Sequence, residues 1–276
     1  VVVKRFKEIF YMKIKLLDGK MYDKKLLLDN MYEDEFYYGE LNKLALSSSS
    51  LKLLLESPKK YYYVTKYGNN LDTQGIRDGR LLHTLVLEPD KFEQFHFVDV
   101  QSKNTKKYKE AKAEYGMVYT MKEKSDAERL ADALLRNDIA IDMLKDTEFE
   151  VPAINNVFGY PFRGKADILS KNGVCDIKTT TDIRAFKYSA LRYGYDVQAY
   201  LYCELFNKKY FDFKFLVLDK GSLDIGVFEC SEEFYLKGEE KVKFAIERYK
   251  EYFAGKDWTT TEIAEQLDNY IIKDIL

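Results

Sequence analysis

Asp167, Asp176 and Lys178 are the residues of this 276-residue chain whose types and spacing are best suited to chemistry. They lie in the stretch 162–180, F-R-G-K-A-D-I-L-S-K-N-G-V-C-D-I-K-T-T. Residues 162–169 and 174–178 have strand character, and Asn172-Gly173 between them is a hairpin-turn signal. Side chains alternate along a strand, so Asp176 and Lys178 share a face while Ile177 points the other way. A two-residue turn at Asn172-Gly173 pairs Asp167 with Lys178, whereas a four-residue loop over 170–173 pairs Asp167 with Asp176. Either register puts all three groups on one face. Two converging carboxylates make a hard oxygen site for Mg²⁺ or Mn²⁺. A lysine two residues along can orient a water or offset charge building on a phosphate. Surface hairpins also carry such residues for solubility alone, so the flanking sequence has to discriminate.

Twenty residues past Lys178 comes Q-A-Y-L-Y, which places Gln198 and Tyr202 one turn apart on a helical face. Asp182 and Asp196 are the expected caps of two helices here. Upstream, G-R-L-L-H from Gly79 ends on His83, one of only two histidines. By itself, a histidine in R-L-L-H-T-L-V-L fits a hydrogen-bonded core position. His96, in Q-F-H-F-V, is expected to be structural. Glu148 and Glu150 fall on alternate positions of one strand and are expected to share a face.

The ordered set G-x-x-x-H, Asp, D-x-K, Q-x-x-x-Y resembles the RecB-like subgroup of the PD-(D/E)XK nuclease superfamily, with aspartate where many members have glutamate. Four stretches are similar to the phage and prophage RecE-type (exonuclease VIII) exonucleases. They are L-S-S-S-S-L-K-L-L-L-E-S-P from Leu46, G-R-L-L-H-T-L-V-L-E-P-D-K-F from Gly79, D-I-K-T-T-T-D from Asp176 and Y-G-Y-D-V-Q-A-Y-L-Y from Tyr193. The resemblance runs from about Ser47 to Trp258.

What the resemblance implies is an α/β (α+β) fold with a mixed central sheet flanked by helices, a restriction-endonuclease-like core with helical insertions. It further implies Mg²⁺-dependent hydrolysis of phosphodiester bonds, with Mn²⁺ as the alternative ion. Asp167 and Asp176 would hold the metal, and the Ile177 carbonyl, His83 and Glu150 (or Glu148) would complete its shell. Lys178 would position the water, and Gln198 and Tyr202 would orient Lys178 or the phosphate. The substrate would be double-stranded DNA ends, digested 5′ to 3′ to leave 3′ overhangs for a single-strand annealing protein. The enzyme would be a homotetrameric ring in the cytoplasm of a bacterial host cell. Two other readings are an endonuclease or single-strand nuclease on the same fold, and a non-catalytic DNA-binding or structural module.

Composition narrows the choice. With 46% hydrophobic and 33% charged residues, the chain reads as a soluble globular protein of one large domain, or one domain plus an extension. No apolar run approaches a membrane span, and none reads as a secretory h-region. The three cysteines, Cys175, Cys203 and Cys230, offer no zinc spacing and are too few for the iron–sulfur cluster of some RecB-type nucleases. They are expected to be buried free thiols. A net charge of −2 requires DNA binding to rely on local patches. The candidates are the lysine-rich run 103–112 and Lys59-Lys60 beside Tyr61-Tyr62-Tyr63, each of which also fits a solvated helix face.

These features fall into an N-terminal extension, 1–46, and a catalytic domain, 47–276. The extension mixes β-like runs at 1–3 and 14–17 with an acidic, tyrosine-rich stretch at 32–40, and is expected to form a small appended hairpin or an oligomer contact. Helices are expected over 51–56, with caps from 47–50 and Pro58 helping to end it, from about 79 to before Pro89, and over 106–115. A capping box at Ser125–Glu128 should open a helix with a core stripe of Leu130, Leu134 and Leu135. A strand at 148–157, the hairpin, helices across 182–206, strands at 210–218 and 224–229 and a helix at 232–253 complete the reading.

Overall fold

The computed structural model describes residues 13–68, 71–257 and 261–272. The β-like run at 1–3 lies outside them. Five strands form the central sheet in chain order: β5 (Glu148–Val157), β6 (Tyr160–Leu169), β7 (Val174–Thr180), β8 (Phe213–Asp219) and β9 (Ile225–Glu229). Only β7 and β8 run parallel, which makes the sheet mixed, as expected. Strands β1 (Lys13–Lys15) and β2 (Met21–Asp23) form one small sheet, and β3 (His96–Val98) and β4 (Val118–Thr120) another.

The helices in chain order are α1 (Lys24–Asn30), α2 (Leu41–Leu44), α3 (Ser48–Glu56), α4 (Pro58–Tyr67), α5 (Gln74–Leu87), α6 (Pro89–Phe92), α7 (Lys106–Tyr115), α8 (Met121–Leu135) and α9 (Asp138–Leu144). They continue with α10 (Phe186–Arg192), α11 (Tyr195–Phe206), α12 (Glu232–Tyr252) and α13 (Glu262–Asp268). None of the described helices is long and apolar enough to cross a membrane.

The sheet separates two cores. On one side Val174, Phe213, Phe215 and Val217 pack with Leu51 and Leu54 of α3, Val197 and Leu201 of α11 and Val242 and Ile246 of α12. On the other, Ile168, Cys175, Ile177, Leu216 and Leu218 pack with Leu82 of α5 and Leu130 and Leu134 of α8. Strand alternation produces this split everywhere except at one place. Ala166 and Ile168, two residues apart on β6, enter opposite cores. The break falls at Glu150 and Asp167, which the β5–β6 register skips between Phe149↔Ile168 and Val151↔Ala166, and Glu150 has a left-handed φ of 51°. Such a backbone on a non-glycine residue kinks a strand and re-aims its side chains.

The hairpin takes the four-residue loop. Leu169 pairs with Val174 and Ile168 with Cys175, so Asp167 comes opposite Asp176. Ser170 decides the register, because its hydroxyl accepts from the N–H groups of Asn172 and Gly173 while its own N–H donates to the Gly173 carbonyl.

Several helix starts differ from expectation for local reasons. Helix α8 opens four residues before Ser125, because Thr120 and Glu123 form a reciprocal capping box and leave Ser125 inside the helix. Its Leu135 is exposed, so the core stripe is Leu130 and Leu134. Helix α5 starts at Gln74, capped by Thr73, before its apolar periodicity begins. Pro58 begins α4 at its first turn, where a missing N–H costs nothing. Neither Asp182 nor Asp196 caps a helix: α10 follows Ala185, and α11 follows Gly194 in the left-handed region. Residues 210–212 form a 3₁₀ turn, so β8 begins at Phe213. The segment 13–45 packs Ile14, Leu16, Leu27, Met31, Tyr37 and Leu41 against Ile154 of β5. Cys175, Cys203 and Cys230 are buried free thiols.

Helices α11 and α12 cross at Gly238, where an added Cβ would stand 2.1 Å from the Asp196 carbonyl oxygen. Gly238→Ala should therefore lower stability by roughly 1–3 kcal/mol, the range for overpacking. An unchanged urea midpoint would contradict this close crossing.

Candidate active site

The site lies at the sheet's kink. Beyond Ile168↔Cys175 the ladder between β6 and β7 stops, and the Ile177 N–H donates to Asp167 Oδ2 at 2.8 Å instead. Asp167 Oδ1 lies 3.0 Å from His83 Nε2. The same nitrogen is 3.2 Å from Glu150 Oε1. Helix α5 delivers His83 there, and Gly79, one turn earlier, faces Thr179 of β7. A Cβ at Gly79 would already be 3.8 Å from Thr179 Oγ1.

Asp176 is 1% exposed and both of its oxygens are engaged. Lys178 Nζ donates to Oδ2 and Gln198 Nε2 to Oδ1. Tyr202, one turn along α11, hydrogen-bonds Gln198 through its hydroxyl and packs its ring against Phe206 and Phe213. Tyr202 therefore reaches Asp176 through Gln198. Gly164 makes room for it, since a Cβ there would meet the Tyr202 ring at 3.1 Å and Leu205 at 3.0 Å.

Burial dominates the electrostatics and the neighbours divide the outcome. Burial pushes Asp176 up to about 6, reinforced by Asp167 and opposed by Lys178. Burial likewise lifts Glu150 to about 7, with His83 pulling the other way. Asp167 is buried too, but His83, Lys178 and the Ile177 N–H hold it below the usual carboxylate range. Burial works against charge on His83, yet Asp167 and Glu150 raise it to about 9. Two buried carboxylates and the half-buried Glu150 thus call for positive charge.

His83, Glu150 and Asp167 form a trio with one ligand atom each, all within 4.8 Å of one another. Glu150 Oε1 is buried and accepts no hydrogen bond of acceptable geometry. An orphaned carboxylate oxygen costs free energy unless something positive meets it. One imidazole nitrogen and two carboxylates make a donor set that fits a divalent cation such as Mn²⁺ or Mg²⁺.

The structure thus brings His83, Glu150 and Asp167 into one cluster and Asp176, Lys178, Gln198 and Tyr202 into an adjoining chain. The Ile177 side chain lies in the second core, with its N–H at the site. Glu148 is exposed on the far side of the kink and does not share a face with Glu150. His96 stacks on Tyr115 at 4.0 Å.

The lysine run 103–112 is less available than its composition implies. Lys103 binds Glu123, Lys112 lies 3.6 Å from Asp72 and Lys107 donates to the Asp99 carbonyl. Lys59 and Lys60 pair with Asp268 and Glu56, and Tyr61 and Tyr62 are buried.

Three further residues belong to the site. Tyr37 is buried beneath Arg163, 4.2 Å from its ring, and feels the charges of Glu150 and Asp167. Tyr195 underlies Lys178, and Lys52 approaches the same ring. The signal for Lys52 was a lone charge inside L-K-L-L-L, one of the stretches that carry the resemblance.

A profile described as a PDDEXK-like domain of unknown function (DUF3799) matches residues 47–270. The chain belongs to this family. It is thereby a member of the PD-(D/E)XK nuclease superfamily, whose members generally use divalent metals. A crystal structure of a candidate exonuclease from Eubacterium rectale superposes with a TM-score of 0.61 at 13% identity, covering 88% of this chain and 95% of that one. A phage-related exonuclease from Haemophilus somnus gives a TM-score of 0.33 at 16% identity, over 76% of this chain and 97% of that one. The first likeness shows the fold, and the second is too weak to argue from. No curated protein matches the sequence.

If the trio holds the cation, His83→Ala, Glu150→Gln and Asp167→Asn should each weaken Mn²⁺ binding about tenfold or more, on the scale of lost metal-site partners. Isothermal titration calorimetry reads this, with circular dichroism confirming the fold. Wild-type affinity in all three variants would remove the cluster from consideration.

Proposed function

We propose that this PDDEXK-like chain is a divalent-metal-dependent deoxyribonuclease that hydrolyses phosphodiester bonds from the ends of linear double-stranded DNA. The observation that carries the reading is the convergence of Asp167, Asp176 and Lys178 on the kinked hairpin, with His83 and the orphaned oxygen of Glu150 beside them. Asp167, Glu150 and His83 would hold the cation, with Asp176 and the Ile177 carbonyl as adjoining ligands. A cation there supplies charge against the pentacovalent transition state and lowers the pKa of a water.

The remaining chemistry belongs to the side chains. Lys178, held by Asp176, orients the attacking water or offsets charge on the phosphate. Gln198 fixes the Asp176 carboxylate, and Tyr202 fixes Gln198. The site is therefore set before substrate arrives, because each donor already has its acceptor.

Residues 47–276 are read as the catalytic domain, with 1–46 as an extension. The resemblance to RecE-type exonucleases supports digestion 5′ to 3′, a 3′ overhang passed to an annealing protein, a tetrameric ring and a cytoplasmic setting. Mg²⁺ is the expected ion, with Mn²⁺ the alternative that the imidazole favours.

Asp167→Ala or Asp176→Ala should abolish hydrolysis and leave the protein folded. Lys178→Ala should cost roughly two to three orders of magnitude in rate, the scale for one preorganised electrostatic group. Near-normal turnover by either aspartate variant would end the assignment.

End-labelled linear duplex incubated with Mg²⁺ beside a closed circle of the same DNA tests the end requirement. Digestion of the linear form alone, by a protein eluting near four times its monomer mass, is expected. A monomer that nicks the circle would make the chain an endonuclease on the same site.

A further inference from the structure

Lys178 is one of two lysines at Tyr195. Leu51 and Leu54, both fully buried, anchor α3 in the first core and leave Lys52 on its flank toward α11. The Lys52 stem runs over Gly194, where a Cβ would stand 3.4 Å from Lys52 Cγ. Gly194 also has a left-handed φ of 64°, a backbone that glycine adopts without strain, and the Lys52 stem lies in van der Waals reach of it. The path ends with Lys52 Nζ 4.9 Å from the Tyr195 ring centroid, and Lys178 Nζ is 5.0 Å from the same point.

The two ammonium groups differ in their partners. Lys178 is bound to Asp176. Among the described residues, no carboxylate forms an ion pair with Lys52. The nearby Asp196 is already committed, one oxygen to Lys241 and the other to the Val197 N–H. Burial and the charge of Lys178 together push Lys52 down to about 8. A confined ammonium facing a second ammonium is stabilised by an added anion. Tyr193, 57% exposed, leans on Tyr195 at 5.9 Å, so an aromatic surface continues from this point to solvent.

We infer that Lys52, carried over Gly194 onto Tyr195, is a positioning residue that binds the phosphate next to the scissile one on the strand being cut. The inference rests on the nuclease reading and adds to it the side from which the strand enters. Two cations, each about 5 Å from one ring centroid, give one strand two separate ammonium contacts at the same place. Lys178 serves the reacting phosphate, Lys52 its neighbour, and the exposed Tyr193 offers a face on which the flanking base can stack.

The test uses binding in Ca²⁺, so that it does not depend on turnover. End-labelled duplexes each carry one neutral methylphosphonate, scanned through the terminal linkages. Lys52→Ala and the stem-preserving Lys52→Met should weaken binding of unmodified duplex about tenfold and reduce the salt slope by about one. Lys52→Arg should restore both.

At one linkage the methylphosphonate should cost wild type as much as the variants lose, and cost the variants nothing, the signature of one shared contact. Wild-type affinity and slope in Lys52→Ala and Lys52→Met would overturn the inference. So would equal losses at every modified linkage. Wild type that binds in this pattern but never hydrolyses DNA in Mg²⁺ or Mn²⁺ would overturn the nuclease reading and leave the subsite standing. Hydrolysis with a flat binding scan would do the reverse.

Discussion

Crowding Glu150, Asp167 and Asp176 together at one kink of the central sheet, the two aspartates buried and Glu150 half-buried, is the constraint to which the rest of the site answers. Carboxylates removed from water next to one another repel, and each also loses hydration. The fold meets this from three directions. Helix α5 brings His83 to Asp167 and Glu150, β7 brings Lys178 to Asp176, and α11 brings the Gln198 amide to the remaining Asp176 oxygen. The kink makes this convergence possible. An unbroken ladder would pair the Ile177 N–H with β6, whereas the parted strands leave it for Asp167. One carboxylate oxygen, Glu150 Oε1, is left without a hydrogen bond and has only the His83 imidazole beside it, 3.2 Å away.

Helices on both faces of the sheet are needed for this, so the two cores have a functional consequence. Leu82 holds α5 to one face, and Val197 and Leu201 hold α11 to the other. The kink is where a side chain from each face can reach the same hairpin. The segment 13–45 adds a third wall: Tyr37 lies under Arg163 with Lys165 4.8 Å from its ring, and Asp34 lies 3.4 Å from the Lys165 ammonium. The extension therefore helps set the charge behind Glu150, besides covering Ile154 of β5.

The mixed sheet with flanking helices was legible because its signals are local: alternation in 148–157 and 162–180, the turn residues, and the apolar stripes of the helices. The pairing of Asp167 with Asp176 was one of two registers open to Asn172-Gly173, and the Ser170 hydroxyl selected it. The start of α8 was misplaced because T-x-x-E at 120–123 and S-x-x-E at 125–128 are equivalent on paper. Only the first has Glu123 buried against Arg77, at 2.6 Å. That same glutamate takes Lys103 out of the basic run, a pairing among α5, α8 and the loop before α7 that no local pattern reveals. The kink at Glu150 was also invisible, since no glycine marks it and the left-handed backbone is held by tertiary packing. Lys52 was hidden for a similar reason, because its meaning depends on how α3 crosses the start of α11.

The central claim is that this kink gathers a divalent-cation site from His83, Glu150 and Asp167, adjoining the Asp176–Lys178 pair. Crystals soaked in Mn²⁺ and measured for anomalous scattering test it most directly. The account predicts one strong peak at coordination distance, about 2.0–2.3 Å, from Asp167, Glu150 and His83 Nε2. Asp176 should lie at or near its coordination shell. A peak elsewhere, with His83 still hydrogen-bonded to Asp167 at Mn²⁺ concentrations that sustain DNA hydrolysis, would contradict it.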